Sequence, residues 1–273
     1  MPKHSRQSRS SKANDRGSKN SKSKNSSKRR KTAVESDEEE NNVNNFFEIL
    51  QQSTANSVSI KLAIQEWKET INDLDNTKPM AELINFILES CGCQGKISPN
   101  IFEERDDINE ILTELQNDNA AGLTDYPIIS KQKQFTGNGN SRNVNTFVGK
   151  LKRFWRDWVK EMQYEIMNSD DNWIFDNLKV WIVSMSSSNF RPFRHTSTVI
   201  GLSLGIELCT VANSIQSELT IAERQINKEQ AKKKGGSNSR SRSQREIQLE
   251  KKIEELQAKK ERLNTHIDDF FVG

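Results

Sequence analysis

The sequence predicts an all-α protein: a body of packed helices, a long antiparallel helical hairpin protruding from it, and a disordered tail in front. Three observations carry this reading. From Phe46 onward apolar residues recur at intervals of three and four, the period of a helix. Pro and Gly stand near the ends of those runs, as helix termini prefer. Residues 1–45 hold Ser, Lys, Arg and Asn with almost nothing to bury, so burial cannot offset the entropy of ordering them. The expected domains are a basic-then-acidic tail, 1–45, and a helical body, 46–273, that includes the hairpin at about 217–270.

The elements follow in order. Phe46, Phe47, Ile49 and Leu50 open a short helix, and Val58, Leu62, Trp67 and Ile71 mark the next, roughly 58–74. Pro79 stands near the start of a helix carrying Leu83, Phe86, Ile87 and Ser90, which stops near Gly92. A weaker helix covers about 103–117. Residues 118–145 read as a solvated loop; GNGNSR lacks the lysine and hydroxyl that a phosphate-binding loop needs. The clearest amphipathic helix is 146–168, with Leu151, Phe154, Trp155, Trp158, Val159, Met162 and Ile166 on one stripe. A helix at 171–185 follows, then the polar turn SSSN and a stretch with two apolar faces. Val199, Leu202, Ile206 and Cys209 mark one face, and Ile200, Leu204, Leu208, Val211 and Ile215 the other. Such a helix is expected to be covered on both sides. Gly201, Ser203 and Gly205 let neighbouring helices come close. Beyond 217, Leu219, Ala222 and Ile226, then Leu249, Ile253, Leu256, Leu263, Ile267 and Phe270, form two heptad-like stripes separated by the Gly-rich tip at 234–242.

Charge is distributed unevenly. Residues 1–31 hold twelve Lys/Arg against one acid, a net of +11, while the remainder holds 29 basic and 37 acidic residues, a net of −8. Lys28, Arg29, Arg30 and Lys31 read as a nuclear-import cluster, and Ser36, followed by acids, suits an acid-directed kinase. The three cysteines, Cys91, Cys93 and Cys209, form no disulfide framework, and Cys91-Gly92-Cys93 is tighter than zinc-ligand spacing. Neither a metal nor a cofactor nor a small-molecule substrate is expected. With no apolar run of about 18 residues recognised, no membrane span is expected.

FRPFRHTST, 190–198, crowds arginines, a histidine and hydroxyls ahead of the apolar run. His195 and Ser197 are two residues apart and point to different sides of a helix, and nothing supplies the third group or oxyanion pocket of a hydrolase. No catalytic residue is expected. The polar cluster reads as a cap on the first turn, Thr196, Ser197 and Thr198 included.

Phe193-Arg194-His195-Thr196-Ser197-Thr198, with Arg191 before it, resembles the signature of the stromalin, or stromal-antigen, family, the helical-repeat subunit of cohesin. Residues 67–95, ending in Cys91-Gly92-Cys93-Gln94-Gly95, resemble that family's first ordered helices, and the Tyr126-Pro127 loop and the long pair at 217–267 fall in the expected order. The resemblance covers about 58–270. The family's most similar segment and most of its repeats would lie further on, so the chain is expected to be the N-terminal portion or a short member. It implies an α-solenoid of HEAT-like helix pairs and a non-enzymatic role in sister-chromatid cohesion and chromosome segregation. The implied location is the nucleus and chromosome. The implied partners are chromatin, the kleisin and other cohesin subunits, and the cohesin loader, with no membrane. Stacking in a solenoid also accounts for helices apolar on two sides.

Family members bind double-stranded DNA along a basic surface. The candidates here are Lys232, Lys233, Lys234, Arg240, Arg242 and Arg245 at the hairpin tip, and Lys150, Lys152, Arg153, Arg156 and Lys160 as a second patch. Neither set offers a base-reading motif, so phosphate contacts without strong sequence preference are expected. The alternative is a helical docking module for the kleisin or loader that does not touch DNA.

Overall fold

The computed structural model describes residues 45–52, 57–71, 75–104, 107–118, 126–129, 146–168, 172–234 and 243–272. These all lie within one compact unit, Val43–Gly273. The described residues are helical, with no strand among them, and form an α-solenoid: α1 (Phe46–Gln51), α2 (Ser57–Glu69), α3 (Thr77–Ser90), α4 (Ile101–Glu104), α5 (Ile108–Asp118), α6 (Phe147–Asn168), α7 (Trp173–Ser186), α8 (Arg191–Lys234) and α9 (Gln244–Val272). Most of the tail, most of the 118–145 loop, Ser36 and the glycines of the tip lie outside the described residues.

The core is aromatic. Phe46 of α1 meets Phe154 of α6 at 4.9 Å between ring centroids, Phe86 of α3 meets Phe154 at 4.7 Å, and Trp158 stacks near Phe175 of α7 at 6.2 Å. All seven residues of the α6 stripe are buried. On α2 the buried residues are Ile60, Ala63, Ile64 and Trp67, and Val58 and Leu62 face outward instead. That corrects the expected face: both sets have helical spacing, and only the packing on α6 chooses between them. The weak helix at 103–117 is two pieces, α4 and α5.

Cys91-Gly92-Cys93 is a helix stop. The Gly92 N–H donates to the Glu89 carbonyl at 2.9 Å and the Cys93 N–H to the Leu88 carbonyl at 3.0 Å. These are the two bonds of a Schellman motif, and Gly92 has the positive φ, 78°, that it requires. Gly95 serves a different need: a Cβ there would lie 2.5 Å from Leu115 Cδ2. Both neighbouring cysteines are buried, and burial pushes the Cys91 thiol far above its ordinary range.

The run after 191 and the first arm of the hairpin are one continuous helix of 44 residues. Its first half packs on α3, α6 and α7, with Gly201 placed so that a Cβ would sit 3.4 Å from Ile182; its second half pairs with α9. The second apolar face is not covered by the described residues, contrary to expectation: Leu202 is 50% exposed and Ile206 51%, with Cys209 exposed beside them. Apolar spacing defines a face and cannot say whether a neighbour reaches it. The same helix holds an 18-residue window apolar enough, by length and composition, to cross a membrane. This corrects the expectation that no such run exists. The packing of α8 on four helices gives that apolarity a place in the core.

α9 is fastened at both ends. At its start Ser243 and Glu246 form a capping box: the Glu246 N–H donates to Ser243 Oγ at 3.2 Å and the Ser243 N–H to Glu246 Oε2 at 2.9 Å. At its far end Lys179 of α7 donates to Asp269 at 2.8 Å, with Asp176 at 2.9 Å and His266 Nδ1 at 3.3 Å. Burial works against the Lys179 charge, but the bonds to Asp269 and Asp176 outweigh it and raise its pKa. Burial first, then the Lys179 charge, lowers that of His266 against the opposing pull of Asp176 and Asp269.

Candidate nucleic-acid interface

The seven apolar residues of α6 turn inward, so the remaining positions form an outer ridge. Lys152, Arg153, Arg156 and Lys160 all stand on it, exposed. Among the described residues, Lys152 and Arg156 have no carboxylate within ion-pair reach. Arg153 and Lys160 differ. Arg153 Nε lies 3.8 Å from Asp157, and Lys160 Nζ lies 3.8 Å from Asp157 and 3.5 Å from Glu207 of α8. Both carboxylates are buried, each residue 6% exposed.

Lys150 does not belong to this surface, which corrects the sequence reading. It is 5% exposed, and its ammonium donates to the carbonyl of Leu50 at 3.1 Å and to that of Gln52. Those carbonyls end α1, so the lysine closes the C-terminus of that helix and meets the negative end of its dipole. Burial lowers its pKa. A lysine at the margin of an apolar stripe can reach inward or outward with the same spacing; α1 supplies the acceptors that decide it.

At the hairpin tip, α8 ends with Lys232, Lys233 and Lys234, whose side chains lie outside the described residues, as do Arg240 and Arg242. Arg245 is exposed on the first turn of α9, with Nη1 3.7 Å from Glu229 of α8, so the two arms meet there. The import candidates Lys28, Arg29, Arg30 and Lys31 also lie outside the described residues.

The FRHTST stretch is a structural knot. The helix begins at Arg191, which puts Thr196, Ser197 and Thr198 in its second turn rather than at its cap. Ser197 Oγ donates back to the Phe193 carbonyl at 2.7 Å and Thr198 Oγ1 to that of Arg194 at 2.7 Å. His195 Nδ1 lies 2.7 Å from the hydroxyl of buried Tyr126, with the rings edge to face. Arg194 donates to the Ser188 carbonyl at 2.7 Å, and the hydroxyl of buried Thr196 has no hydrogen-bond partner among the described residues. The histidine and the serine therefore serve different partners. The motif ties α8 to the loop at 126–129 and to the preceding turn. Tyr126 as the partner of His195 is not foreshadowed in the sequence: nothing in the spacing of residues 69 apart signals it.

The described residues, helices with a cationic outer ridge and a hairpin arm, define an all-α fold of the solenoid class. The chain belongs to the family defined by the STAG domain, which matches residues 124–266 and so takes in α6, α7, α8 and most of α9. It is similar to Cohesin subunit psc3 of Schizosaccharomyces pombe, 30% identical over 87% of this chain and 23% of the relative. It is also similar to Cohesin subunit SA-3 of Homo sapiens, 28% identical over 84% of this chain and 17% of the relative. A third relative is Cohesin subunit SCC3 of Saccharomyces cerevisiae, 27% identical over 82% of this chain and 20% of the relative. The chain thus spans less than a quarter of the length of each.

Proposed function

We propose that this chain acts as a non-enzymatic chromatin scaffold, the part of a cohesin subunit that helps hold double-stranded DNA in sister-chromatid cohesion and chromosome segregation. The observation that carries the reading is the row of exposed cations on α6, inside the STAG match, with Lys152 and Arg156 not bound to acids among the described residues. Such charges on a rigid helix attract phosphates whatever the base sequence, by releasing condensed counterions. The tip residues Lys232, Lys233, Lys234, Arg240, Arg242 and Arg245 are the other candidate cations for phosphate. The other partners are the kleisin and remaining cohesin subunits and the cohesin loader. Lys28 to Lys31 direct import to the nucleus, where the protein works on chromosomes.

A second reading, a docking module that does not touch DNA, draws support from the apolar face at Leu202, Ile206 and Cys209, which no described residue covers. Fluorescence anisotropy with a labelled random duplex separates the two. The scaffold reading expects binding that weakens with salt and weakens again in the Lys152→Glu/Arg156→Glu variant. Equal signals from wild type, the variant and buffer would leave the docking reading standing alone.

A further inference from the structure

Resting on that reading, we infer that Asp157 and Glu207 are positioning residues that restrain the ridge, holding Arg153 and Lys160 back from phosphate and leaving Lys152 and Arg156 as its working cations. The four cations are all exposed but differ in their surroundings. Lys160 stands between two carboxylates from different helices, at 3.8 Å and 3.5 Å, and Arg153 is 3.8 Å from the first of them. Both acids are more than nine-tenths buried. Among the described residues Asp157 Oδ2 has no hydrogen-bond partner at all. A buried carboxylate with only long ion pairs recovers little of its lost hydration, and a neutral side chain of the same shape is often tolerated as well or better. Stability alone gives no reason for two of them under one lysine. Their electrostatic effect is definite: two negative charges directly beneath a row of four positive ones. A phosphate at Lys160 must compete with both, so the ridge grips more weakly than its composition suggests, and its grip is set by the α6–α8 seam.

Two readouts test this, one of them independent of DNA. Trace acetylation of the full chain, mapped by mass spectrometry, compares the two exposed lysines of the ridge. Lys160 is expected to react severalfold more slowly than Lys152 in the wild type, and to approach it in Asp157→Asn/Glu207→Gln. Equal rates in the wild type would overturn the inference whatever the DNA result, and without any variant having to fold. In the second readout the carboxamide variant, or Glu207→Gln alone if the pair proves unstable in thermal melts, binds the random duplex at two salt concentrations. For each cation freed to meet a phosphate, the drop in affinity between about 50 and 200 mM salt is expected to grow roughly three- to fourfold. An unchanged or smaller drop, in a protein whose binding still falls with Lys152→Glu/Arg156→Glu, would refute the restraint and leave the DNA reading intact. Absence of binding in every variant would instead refute the DNA reading, and the acetylation ratio would still decide whether the two acids hold Lys160.

Discussion

The two halves of α8 share one backbone and differ in everything that holds them. Residues 191–215 bury Phe193, Ile200, Leu204, Leu208, Val211 and Ile215, while 216–231 bury one residue per turn, Leu219, Ala222 and Ile226. The first half packs against α3, α6 and α7. The second pairs with α9, whose buried apolar residues are Leu256 and Leu263. A helix can thus run unbroken from a rigid core into an arm whose stability comes from pairing, and effects of substitution should grade along it.

The largest effect belongs to the body. Trp155 and Trp158 are wholly buried, so replacing either with Ala should cost about 3–5 kcal/mol in urea denaturation, by forfeited transfer energy and the cavity left behind. Leu256→Ala in the arm should sit at the low end of the range for such truncations, about 2 kcal/mol, because the seam can close partly over the gap. If it costs as much as Trp158→Ala, the contrast between body and arm is wrong.

Next is Lys150→Met, which keeps the stem and removes the ammonium. Two carbonyls at the end of α1 go without their donor, and a destabilisation of about 1–3 kcal/mol is expected from the same denaturation series. A neutral outcome would return Lys150 to the surface. His266 gives a smaller, pH-dependent effect at the base of the arm. Its folded pKa lies below the ordinary 6.5, so the unfolded chain takes up the proton first. The stability it contributes is present above that value and is lost as the pH falls through the folded pKa. Melting temperature should therefore drop more steeply on acidification in the wild type than in His266→Gln; parallel curves would remove the histidine from the clamp. The smallest change is His195→Ala, about 1 kcal/mol for the single hydrogen bond to Tyr126. It acts by loosening the 126–129 segment, so hydrogen exchange should rise there before it rises elsewhere.

Much of the fold is legible in the residues alone, and the failures share a cause. The α6 stripe, the hairpin and the FRHTST resemblance need only local spacing. Lys150, Leu202 and Val58 are misplaced by sequence reasoning because each has spacing that fits two environments, and only a distant partner, or its absence, selects one. Glu246 does carry a local signal: Ser243-Gln244-Arg245-Glu246 has the spacing of a capping box and opens an apolar run. The carboxylates under the ridge have a weaker one, since Asp157 is visible among the cations of α6 but Glu207 lies 50 residues on and meets Lys160 only in the fold.

The account rests most directly on phosphate contact without base reading. The test is the affinity of the full chain for two duplexes of equal length and unrelated sequence, measured across a salt series. Both should fall on the same straight line of log affinity against log salt. Lys232→Glu/Lys233→Glu/Lys234→Glu should flatten that line by roughly 2–3 units, about 0.9 for each phosphate no longer neutralised, while leaving the melting temperature nearly unchanged. An affinity independent of salt, or a line for the triple variant that overlies the wild type's together with a strong preference for one duplex, would contradict it.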